Sequence, residues 1–427
     1  MNDSATALPT DWRTTPLKSV AAVRFSSVDK KSTPRQQAVR LCNYIDVYTR
    51  EYIRGIEPFM AATASDSEIS QFGIRCGDVL ITKDSETPDD IGVPSVIVCD
   101  PENLVCGYHL ALLRPDRQQV DPVFLAKQLR HHRLARYFGR MCNGLTRYGL
   151  PTAAVENAVL WLPSDVLEQT AIGVQLRKVD EAIQQTSALI AKLKNIKAGL
   201  LHDLLTWGID KNGHVRANAP TRGQVPISAF AHVNPPVDTT GLMPLTSVSF
   251  VPMEDVSEQG QWVNRQKREW RKVKTGYTAF QEGDVLFAKI TPCMENGKGF
   301  HASGTINGHG YASTEFHVLR AKGKNCSRFV FWQTMNPALR LRAAARMTGS
   351  AGQLRVPSSF FDTFTMPYFD PDEQSCIADR LDGIEARIQA EDGTLRKLTL
   401  MKQGLMHDLL TGRVRVAMKT NGKVKTP

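Results

Sequence analysis

The feature that most constrains this chain is a long segment with one apolar face that occurs twice. The first copy covers residues 172–206 and ends in KAGLLHDLLT, and the second covers residues 377–411 and ends in KQGLMHDLLT. Corresponding apolar positions differ by 205 residues throughout and recur at helical spacings. The first face is formed by Ile172, Leu176, Val179, Ile183, Ile190, Leu193, Ile196, Leu200 and Leu204. The second is formed by Ile377, Leu381, Ile384, Ile388, Leu395, Leu398, Met401, Leu405 and Leu409.

Each copy predicts a long α-helix, roughly 60 Å at about 1.5 Å per residue. A single apolar face on so long a helix cannot be buried against itself, and the same chain supplies a second helix with the same face. We therefore predict that the two helices pack on each other as an antiparallel coiled coil. The alternative is that each helix lies separately on the surface of a globular core. The constant register of the duplication argues against that alternative.

Short motifs outside the helices repeat as well. The sequence GDVL at residues 77–80 returns at residues 283–286, and LR at residues 113–114 returns at residues 319–320, both at an offset of 206. The period therefore covers a domain and its helix together. The sequence predicts a tandem repeat of domain–helix, domain–helix, with a pseudo-two-fold relation between the halves.

The first domain has the pattern of a mixed α/β fold. Residues 39–48 (VRLCNYIDVY) are rich in β-branched and aromatic side chains and predict a strand, as do residues 93–99 and 108–113. Residues 122–137 predict a helix that begins after Asp121, with a proline in its first turn. Because the second domain echoes these motifs, we expect it to have the same fold class.

Charge and cysteine usage narrow the classes of function. The formal net charge of +10 favours an acidic partner, with nucleic acid first among the candidates. The eight cysteines include no CxxC pair and no zinc spacing. There is no apolar signal segment at the N-terminus and no apolar run of membrane-spanning length, so we expect a cytoplasmic protein with free thiols.

Motifs that would support catalysis are incomplete. Residues 234–237 (NPPV) approach the motif of adenine-N6 methyltransferases, but valine replaces the aromatic residue that stacks on the flipped base. Gly297-Lys298 lacks the spacing of a phosphate-binding loop. His202 and His407 lie near the ends of the long helices, where the helix dipole favours a histidine. We therefore predict no catalytic residue, no metal site and no cofactor bound by this chain.

Basic residues form a better-defined pattern. Arg133, Arg136 and Arg140 share one helical face, and Arg342 and Arg346 match the last two at an offset of 206. A basic helix followed by a polar loop suits phosphate anchoring and readout of base edges. The run at residues 265–274 adds six positive charges around Trp270, although such a run is often a solvated face. The predicted DNA-binding residues are Lys83, Arg133, Arg136, Arg140, Arg147, Tyr148, Lys289, Asn296, Lys298, Arg342, Arg346, Ser350, Gln353 and Arg355.

Several of these segments resemble one family. The two helices ending in HDLLT are similar to the conserved regions of specificity subunits of type I restriction–modification enzymes. Residues 287–299 (FAKITPCMENGKG), 313–320 (STEFHVLR) and 347–357 (MTGSAGQLRVP) are similar to segments of their target recognition domains. The resemblance extends from about residue 12 to residue 416. The first domain has CNGLTRYGLP where the second has MTGSAGQLRVP, so loop chemistry cannot be carried from one domain to the other.

The resemblance implies an architecture of two target recognition domains separated by two long conserved helices. Residues 1–163 would form the first domain and residues 164–207 the first helix. Residues 208–367 would form a linker and the second domain, followed by the second helix at 368–411 and a basic tail at 412–427. Each domain would read one half of a bipartite site on double-stranded DNA.

The resemblance also implies partners and their cofactors. Two modification subunits would bind the conserved helices and methylate adenine with S-adenosylmethionine, and two restriction subunits would use ATP and magnesium. The helix residues predicted to bind partners are Leu193, Leu200, His202, Leu204, Leu398, Leu405, His407 and Leu409.

Two other classes of function stay open at this point. One is a stand-alone DNA methyltransferase or nuclease with built-in specificity, which the defective NPPV motif disfavours. The other is a coiled-coil adaptor that does not touch DNA, which would show no salt-sensitive binding to any duplex.

Overall fold

The computed structural model describes residues 8–217, 223–350, 352–416, 418–420 and 423–425. The chain forms two compact units, Met1–Ser187 with Thr394–Pro427, and Ala188–Gly393. Each long helix contributes one half to either unit. The domain boundaries expected from the repeat assign whole helices, and those boundaries stay a prediction.

The first unit is built on a five-stranded sheet of order β2-β10-β6-β8-β4 and a three-stranded sheet of order β5-β3-β9, with two-stranded pairs β1-β12, β7-β11 and β23-β24. Its strands are β1 (Trp12–Pro16), β2 (Ala21–Phe25), β3 (Gln37–Cys42), β4 (Tyr52–Ile53), β5 (Met60–Ala64), β6 (Val79–Thr82), β7 (Asp84–Ser85), β8 (Pro94–Ile97), β9 (Leu104–Cys106), β10 (Leu110–Pro115), β11 (Tyr148–Gly149) and β12 (Val159–Pro163), with β23 (Met418–Thr420) and β24 (Lys423–Lys425) near the C-terminus. Its helices are α1 (Tyr44–Tyr48), α2 (Asp66–Phe72), α3 (Pro122–Arg130), α4 (His132–Met141) and α5 (Thr152–Glu156).

The second unit has two four-stranded sheets, of order β14-β21-β18-β19 and β16-β15-β20-β17, and a β13-β22 pair. Its strands are β13 (Gln224–Pro226), β14 (Ala231–Val233), β15 (Ser247–Val251), β16 (Gln266–Glu269), β17 (Thr278–Gln281), β18 (Val285–Ala288), β19 (Gly299–His301), β20 (His309–Ala312), β21 (Phe316–Ala321) and β22 (Thr365–Pro367). Its helices are α7 (Ser327–Thr334), α8 (Pro337–Ala344) and α9 (Phe360–Thr363). The two units share the long helices α6 (Val166–Thr206) and α10 (Pro371–Leu410). The mixed α/β class with two long helices is confirmed.

The two units repeat an ion pair at the centre of their sheets. Arg114 at the end of β10 donates hydrogen bonds of 2.8 and 2.7 Å to the two carboxylate oxygens of the buried Asp78, beside β6. Arg320 of β21 donates two hydrogen bonds of 2.8 Å to Asp284 beside β18. A two-point arginine–carboxylate contact fixes orientation as well as distance. The GDVL and LR motifs therefore recur because together they join the same two strands.

The long helices run antiparallel within each unit. In the first unit Asp180 of α6 pairs with Lys402 of α10 at 2.7 Å, and Glu168, further toward the start of α6, pairs with Arg415 beyond the end of α10 at 2.7 Å. In the second unit Lys197 of α6 pairs with Glu385 of α10 at 2.6 Å, and Ile209, beyond the end of α6, donates its backbone N–H to Glu373 near the start of α10 at 3.0 Å. Residues nearer the C-terminus of α6 therefore pair with residues nearer the N-terminus of α10.

A buried glutamine attaches each domain to the first turns of a long helix. The side-chain oxygen of Gln169 in α6 accepts a hydrogen bond from the backbone N–H of Asp121 at 3.0 Å, and its amide nitrogen donates to the carbonyls of Gln119 and Pro163. Gln374 in α10 accepts from the backbone N–H of Cys326 at 2.9 Å and donates to the carbonyl of Phe369 and the side-chain oxygen of Asn325. Both glutamines are fully buried, so both joints exclude water.

The prediction of one strand over residues 39–48 is wrong. The strand β3 ends at Cys42, and α1 begins at Tyr44. Asn43 starts the helix, and its backbone N–H donates to a carboxylate oxygen of Asp46 at 2.9 Å. This Asn-x-x-Asp signal satisfies the exposed N–H group of the first turn. It outweighs the β propensity of the neighbouring residues.

The single helix predicted over residues 122–137 is two helices. The predicted start is confirmed, because the Asp121 carboxylate accepts a hydrogen bond from the backbone N–H of Phe124 at 2.9 Å. The helix ends at Arg130, His131 is extended with φ −61° and ψ 139°, and α4 begins at His132. The apolar period continues across the break, and for that reason the sequence does not reveal it.

The helices described in the structure are all too polar or too short to cross a lipid bilayer.

Candidate nucleic-acid interface

A closed loop follows the basic helix in each unit. Loop 1 (residues 143–149) follows α4, and the backbones of Asn143 and Gly149 exchange hydrogen bonds of 2.9 and 2.8 Å. Loop 2 (residues 348–355, of which 351 lies outside the described residues) follows α8, and Thr348 and Arg355 exchange bonds of 3.0 and 2.9 Å. Each loop therefore projects from a two-residue base of fixed geometry.

Both loops depend on a glycine at their second position. Gly144 has φ 142° and Gly349 has φ 136°, values that side chains rarely allow. A Cβ atom on Gly144 would lie 1.9 Å from the carbonyl oxygen of Arg147, and one on Gly349 would lie 2.7 Å from that of Gln353. The backbone frame is thus common to the two loops, which sit 205 residues apart.

The side chains that the loops present are different. Loop 1 exposes Arg147 and Leu145, and the Leu145 side chain is 95% accessible to solvent. Loop 2 exposes Ser350 and Gln353. A common frame that carries different donors and acceptors suits two modules that read different base sequences by direct contact.

The helix positions compared in the sequence need a correction. The starts of α4 and α8 and their buried residues, Leu134 with Leu339 and Phe138 with Ala343, align at an offset of 205. The sheet motifs align at 206, so one residue is missing between sheet and helix in the second unit. Arg342 and Arg346 are therefore not the counterparts of Arg136 and Arg140. All four side chains are nevertheless exposed.

Several of the predicted DNA-binding side chains make contacts within the protein. The guanidinium of Arg133 lies 4.1 Å from the ring centroid of Trp161 and donates to the carbonyl of Val159 at 2.9 Å, and burial lowers its pKa to about 10. Lys83 donates to the carbonyl of Ser26 at 3.0 Å and lies 4.3 Å from the Tyr108 ring. Burial also lowers the pKa of Lys83. Both cations hold the first domain together.

The second unit shows the same division of roles. Arg355 donates two hydrogen bonds to the carboxylate of Glu315, at 2.9 and 2.8 Å, and this pairing raises the pKa of Arg355. Lys298 donates to the carbonyl of Met253 at 3.0 Å, and Asn296 donates to the Glu258 carboxylate at 2.9 Å. Lys289 is half-buried. Arg355 therefore anchors the base of loop 2 instead of extending from it.

The remaining predicted residues form the exposed part of the interface. They are exposed arginines on α4, on and just after α8, and in loop 1, together with the polar tip of loop 2, while Tyr148 of β11 is half-buried at the base of loop 1. The exposed residues are Arg136, Arg140, Arg147, Arg342, Arg346, Ser350 and Gln353. Their contact with DNA stays a prediction.

A cleft beside loop 1 contains aromatic residues that the sequence analysis missed. Its volume is about 420 Å³, and Arg147 lines it together with Tyr44 and Tyr48. The two tyrosine rings are stacked, with centroids 5.4 Å apart and 17° between the planes. They are missed because residues 39–48 are predicted as a strand, in which positions 44 and 48 would not be stacked on a helical turn. Asp84, Glu86 and Asp90 also line the cleft, so the aromatic pair beside Arg147 suits stacking with a base, while the carboxylates oppose a phosphate.

The NPPV segment has a structural role. Asn234 has φ 50°, its side-chain oxygen accepts from the backbone N–H of Val318 at 2.9 Å, and its own N–H donates to the Val318 carbonyl at 2.7 Å. The amide that a methyltransferase would use to hold a flipped adenine is thus bound to strand β21. This agrees with the interpretation of the segment as non-catalytic.

The helix residues predicted to bind partners divide by burial. Leu193, Leu204 and Leu409 are buried within the chain, and their contact with a partner stays a prediction. Leu200, Leu398, Leu405 and His407 are half-buried, and His202 is exposed. Ile196 and Met401, which occupy the same position in the two repeats, are 42% and 47% exposed. These two interrupt the buried face and are the better candidates for apolar contact with a partner.

Comparisons with known proteins confirm the resemblance. The chain is 36% identical over 155 residues to the EcoEI specificity subunit, and 36% identical over 153 residues to the EcoAI specificity subunit, both of type I restriction enzymes of Escherichia coli. These matches cover about a third of this chain (36% and 35%) and 26% of each relative. A Methanocaldococcus jannaschii protein named as the type I restriction enzyme MjaX specificity subunit is 21% identical over 435 residues, covering 96% of this chain and 95% of that protein.

The fold is that of solved specificity subunits. The crystal structure of the S subunit of a type I restriction–modification system from M. genitalium superposes with a TM-score of 0.59 at 13% identity, covering 98% of this chain and 99% of that one. A structure concerned with complex assembly and conformational transition of the type I system gives 0.52 at 14% identity, covering 95% and 99%. No protein-family profile matches the chain.

Proposed function

We propose that this chain, which is similar to type I restriction enzyme specificity subunits along almost its whole length, is the DNA-recognition subunit of a type I restriction–modification complex. The observation that carries the proposal is the repeated plan of its halves. Each half has an Asp–Arg pair that joins two neighbouring strands, a helix with exposed arginines, and a loop that depends on a glycine at its second position, but the loop tips differ. A molecule built in this way would read two different half-sites with two equivalent modules.

The exposed arginines and the loops divide the task of recognition between them. Arg136 and Arg140 of α4, and Arg342 of α8, are exposed on their helices and suit contact with phosphates, which positions the protein on the duplex. The loop tips offer hydrogen-bonding groups of defined geometry and suit contact with base edges in the major groove. The formal net charge of +10 agrees with an acidic partner such as DNA.

The chain itself provides recognition and a scaffold. Methylation of adenine with S-adenosylmethionine would belong to two modification subunits, and ATP-dependent cleavage with magnesium to two restriction subunits. The half-buried and exposed residues of α6 and α10 form the surface on which these subunits would assemble, with Ile196 and Met401 at its repeated positions. Such a complex would act in the cytoplasm.

The test is reconstitution with the modification subunit from the same source. Methylated adenines are mapped in DNA exposed to the modification subunit alone, to this chain alone, and to both. We expect methylation at one bipartite sequence only when both are present. Methylation by this chain alone, or a methylation pattern that does not depend on it, contradicts the proposal. Asn234→Ala, in the second unit, should leave recognition of the half-site read by the first domain unchanged.

A further inference from the structure

Three histidines that are distant in sequence meet in the first unit. His131 lies at the break between α3 and α4, His132 begins α4, and His407 lies in the last turn of α10. One ring nitrogen of each lies within 4.8 Å of those of the other two. The ring centroids are 4.1 Å apart for the first two, and 6.1 Å from each of these to His407.

The elements that carry the histidines are held together by other contacts. The buried Gln128 of α3 donates from its side-chain nitrogen to the carbonyl of Leu410 at 2.8 Å and to the carbonyl of Trp161 at 2.9 Å. The end of α10 is therefore fixed against the end of α3. The break at His131 then turns the chain so that two adjacent histidines face the last turn of α10. The cluster results from this geometry and not from a sequence motif.

The chemistry of the cluster suits a late divalent transition metal. Imidazole nitrogen is a preferred ligand of zinc, cobalt and nickel, and zinc binds it at about 2.0–2.1 Å. Tetrahedral geometry at that bond length places ligand nitrogens about 3.4 Å apart. His132 is exposed and His407 half-exposed, so rotation of these side chains can close the difference. His131 is buried and would be the fixed member of the set.

We propose that His131, His132 and His407 form a site for one Zn²⁺-like ion, with three imidazole ligands and a fourth position open to water. The bound ion would join the start of α4 to the end of α10. Arg136 and Arg140 lie further along α4. A histidine of the repeated HDLLT motif would thus serve as a ligand in one repeat. The sequence predicts no metal site, because neither the spacing nor any single motif brings residues 131 and 407 together.

The second repeat provides an internal control. The residues that correspond to His131 and His132 at the helix offset are Asn336 and Pro337, which cannot supply imidazole ligands. The counterpart of His407 is His202, which contacts Asp203 at 3.2 Å and packs edge-on against Trp207. His202 therefore has the same place on its helix but lacks the two partner histidines. The site is expected once per chain.

The experiment is a metal titration of the full chain, purified without a polyhistidine tag and stripped with chelator. Cobalt is the probe, because its visible absorption reports coordination by imidazole, and zinc competition reports relative affinity. We expect one equivalent of Co²⁺ to bind and Zn²⁺ to displace it. His132→Ala and His407→Ala should each weaken binding by at least the roughly 10–100-fold that losing a supporting contact of a metal ligand costs. His202→Ala should bind like the wild type.

Three results of the titration would contradict the proposed site. The proposal is overturned if no stoichiometric binding occurs, if His132→Ala and His407→Ala bind as well as the wild type, or if His202→Ala weakens binding equally. His132 is exposed, so its substitution is not expected to disturb folding, and circular dichroism of the metal-free variant verifies this. As a second measurement, zinc should raise the unfolding midpoint of the wild type but not of His132→Ala.

Discussion

Lys197 and Glu385 form a 2.6 Å ion pair between α6 and α10, and this pair is the counterpart of Lys402 with Asp180 at an offset of 205 in both members. The helices exchange roles between the two pairs, because α6 supplies the acid in one and the base in the other. Burial raises the pKa of Glu385, but the contacts with Lys197 more than offset this, so its pKa is lowered. An exchange of this kind is what a pseudo-two-fold relation requires.

The Lys197–Glu385 pair should make a measurable contribution to stability. Both side chains are largely buried, and Lys197 also lies 5.1 Å from the Trp332 ring. A double-mutant cycle with Lys197→Met and Glu385→Gln should give a coupling energy of about 1–3 kcal/mol in the free energy of unfolding. The exposed pair of Arg177 and Glu181 is the matched control, for which about 0.3–0.5 kcal/mol is expected. Equal coupling in the two cycles would contradict the assignment.

Acid should weaken the first unit through Glu51. Burial alone would raise the pKa of this carboxyl. The positive charges of Arg130, Lys127 and Lys402 lower it by more than burial raises it, so its pKa falls from the ordinary value of 4.5 to about 2. Because the folded pKa is the lower one, the stabilisation is fully present above pH 4.5 and is lost as the pH falls toward 2. The resulting decrease in the free energy of unfolding should reach about 3 kcal/mol.

Glu51→Gln tests this pH dependence. We expect the variant to be less stable at neutral pH and to show a flatter stability curve between pH 4.5 and 2, measured by urea unfolding. Glu181→Gln, on the exposed pair, serves as the comparison and should follow the wild-type curve. A Glu51→Gln curve with the wild-type slope would mean that other carboxyls determine the acid sensitivity.

The loop glycines should control one half-site each. Gly144→Ala places a methyl group against the Arg147 carbonyl and should impair recognition of the half-site read by the first domain only, and Gly349→Ala should do the same for the second. Gly199→Ala in α6 meets nothing within 4 Å and should instead stabilise the chain by about 0.5–1 kcal/mol. Maps of methylated adenines provide the measurement. Loss of both half-site preferences from a single loop substitution would refute the modular interpretation.

Substitution of an exposed arginine should change DNA recognition, whereas substitution of the half-buried Arg133 should change stability. Arg346→Ala should weaken recognition of one half-site, by about 1–3 kcal/mol if it contacts a base, or by a smaller sequence-independent amount if it contacts phosphate. Arg133→Met should lower stability and leave the sequence preference unchanged, because its guanidinium packs on Trp161. Binding to duplexes with one half-site altered at a time distinguishes these effects. A change of base preference in Arg133→Met would show that the internal contacts do not define its role.

The long helices should set the spacer between the half-sites. Inserting four residues after Gln185 of α6, and four at the equivalent position after Ala390 of α10, adds about one turn to each helix, or about 6 Å. DNA rises about 3.4 Å per base pair, so the preferred spacer should lengthen by about two base pairs. The half-site sequences should stay the same. An unchanged spacer at full activity would show that another part of the molecule measures the distance.

The sequence predicts best where one physical period repeats without interruption. The helices were expected over residues 164–207 and 368–411 and extend over Val166–Thr206 and Pro371–Leu410, because an apolar face of that length has few alternatives. The break at His131 and the start of α1 at Asn43 were missed, because each depends on one local hydrogen-bonding choice inside a longer pattern. The candidate site is less predictable still. Whether an arginine extends into solvent or, like Arg133, packs on a tryptophan depends on distant residues that the sequence does not connect.

The glutamine joints have a consequence for how such chains change. The hydrogen bonds of Gln169 reach main-chain atoms of Asp121, Gln119 and Pro163, whereas Gln374 accepts from the main chain of Cys326 but also donates to the Asn325 side chain. Main-chain groups are the same whatever the side chains are. A foreign domain of the same fold in place of the first domain would therefore meet the same hydrogen-bonding groups on Gln169, whereas one in place of the second would also need an acceptor at the position of Asn325.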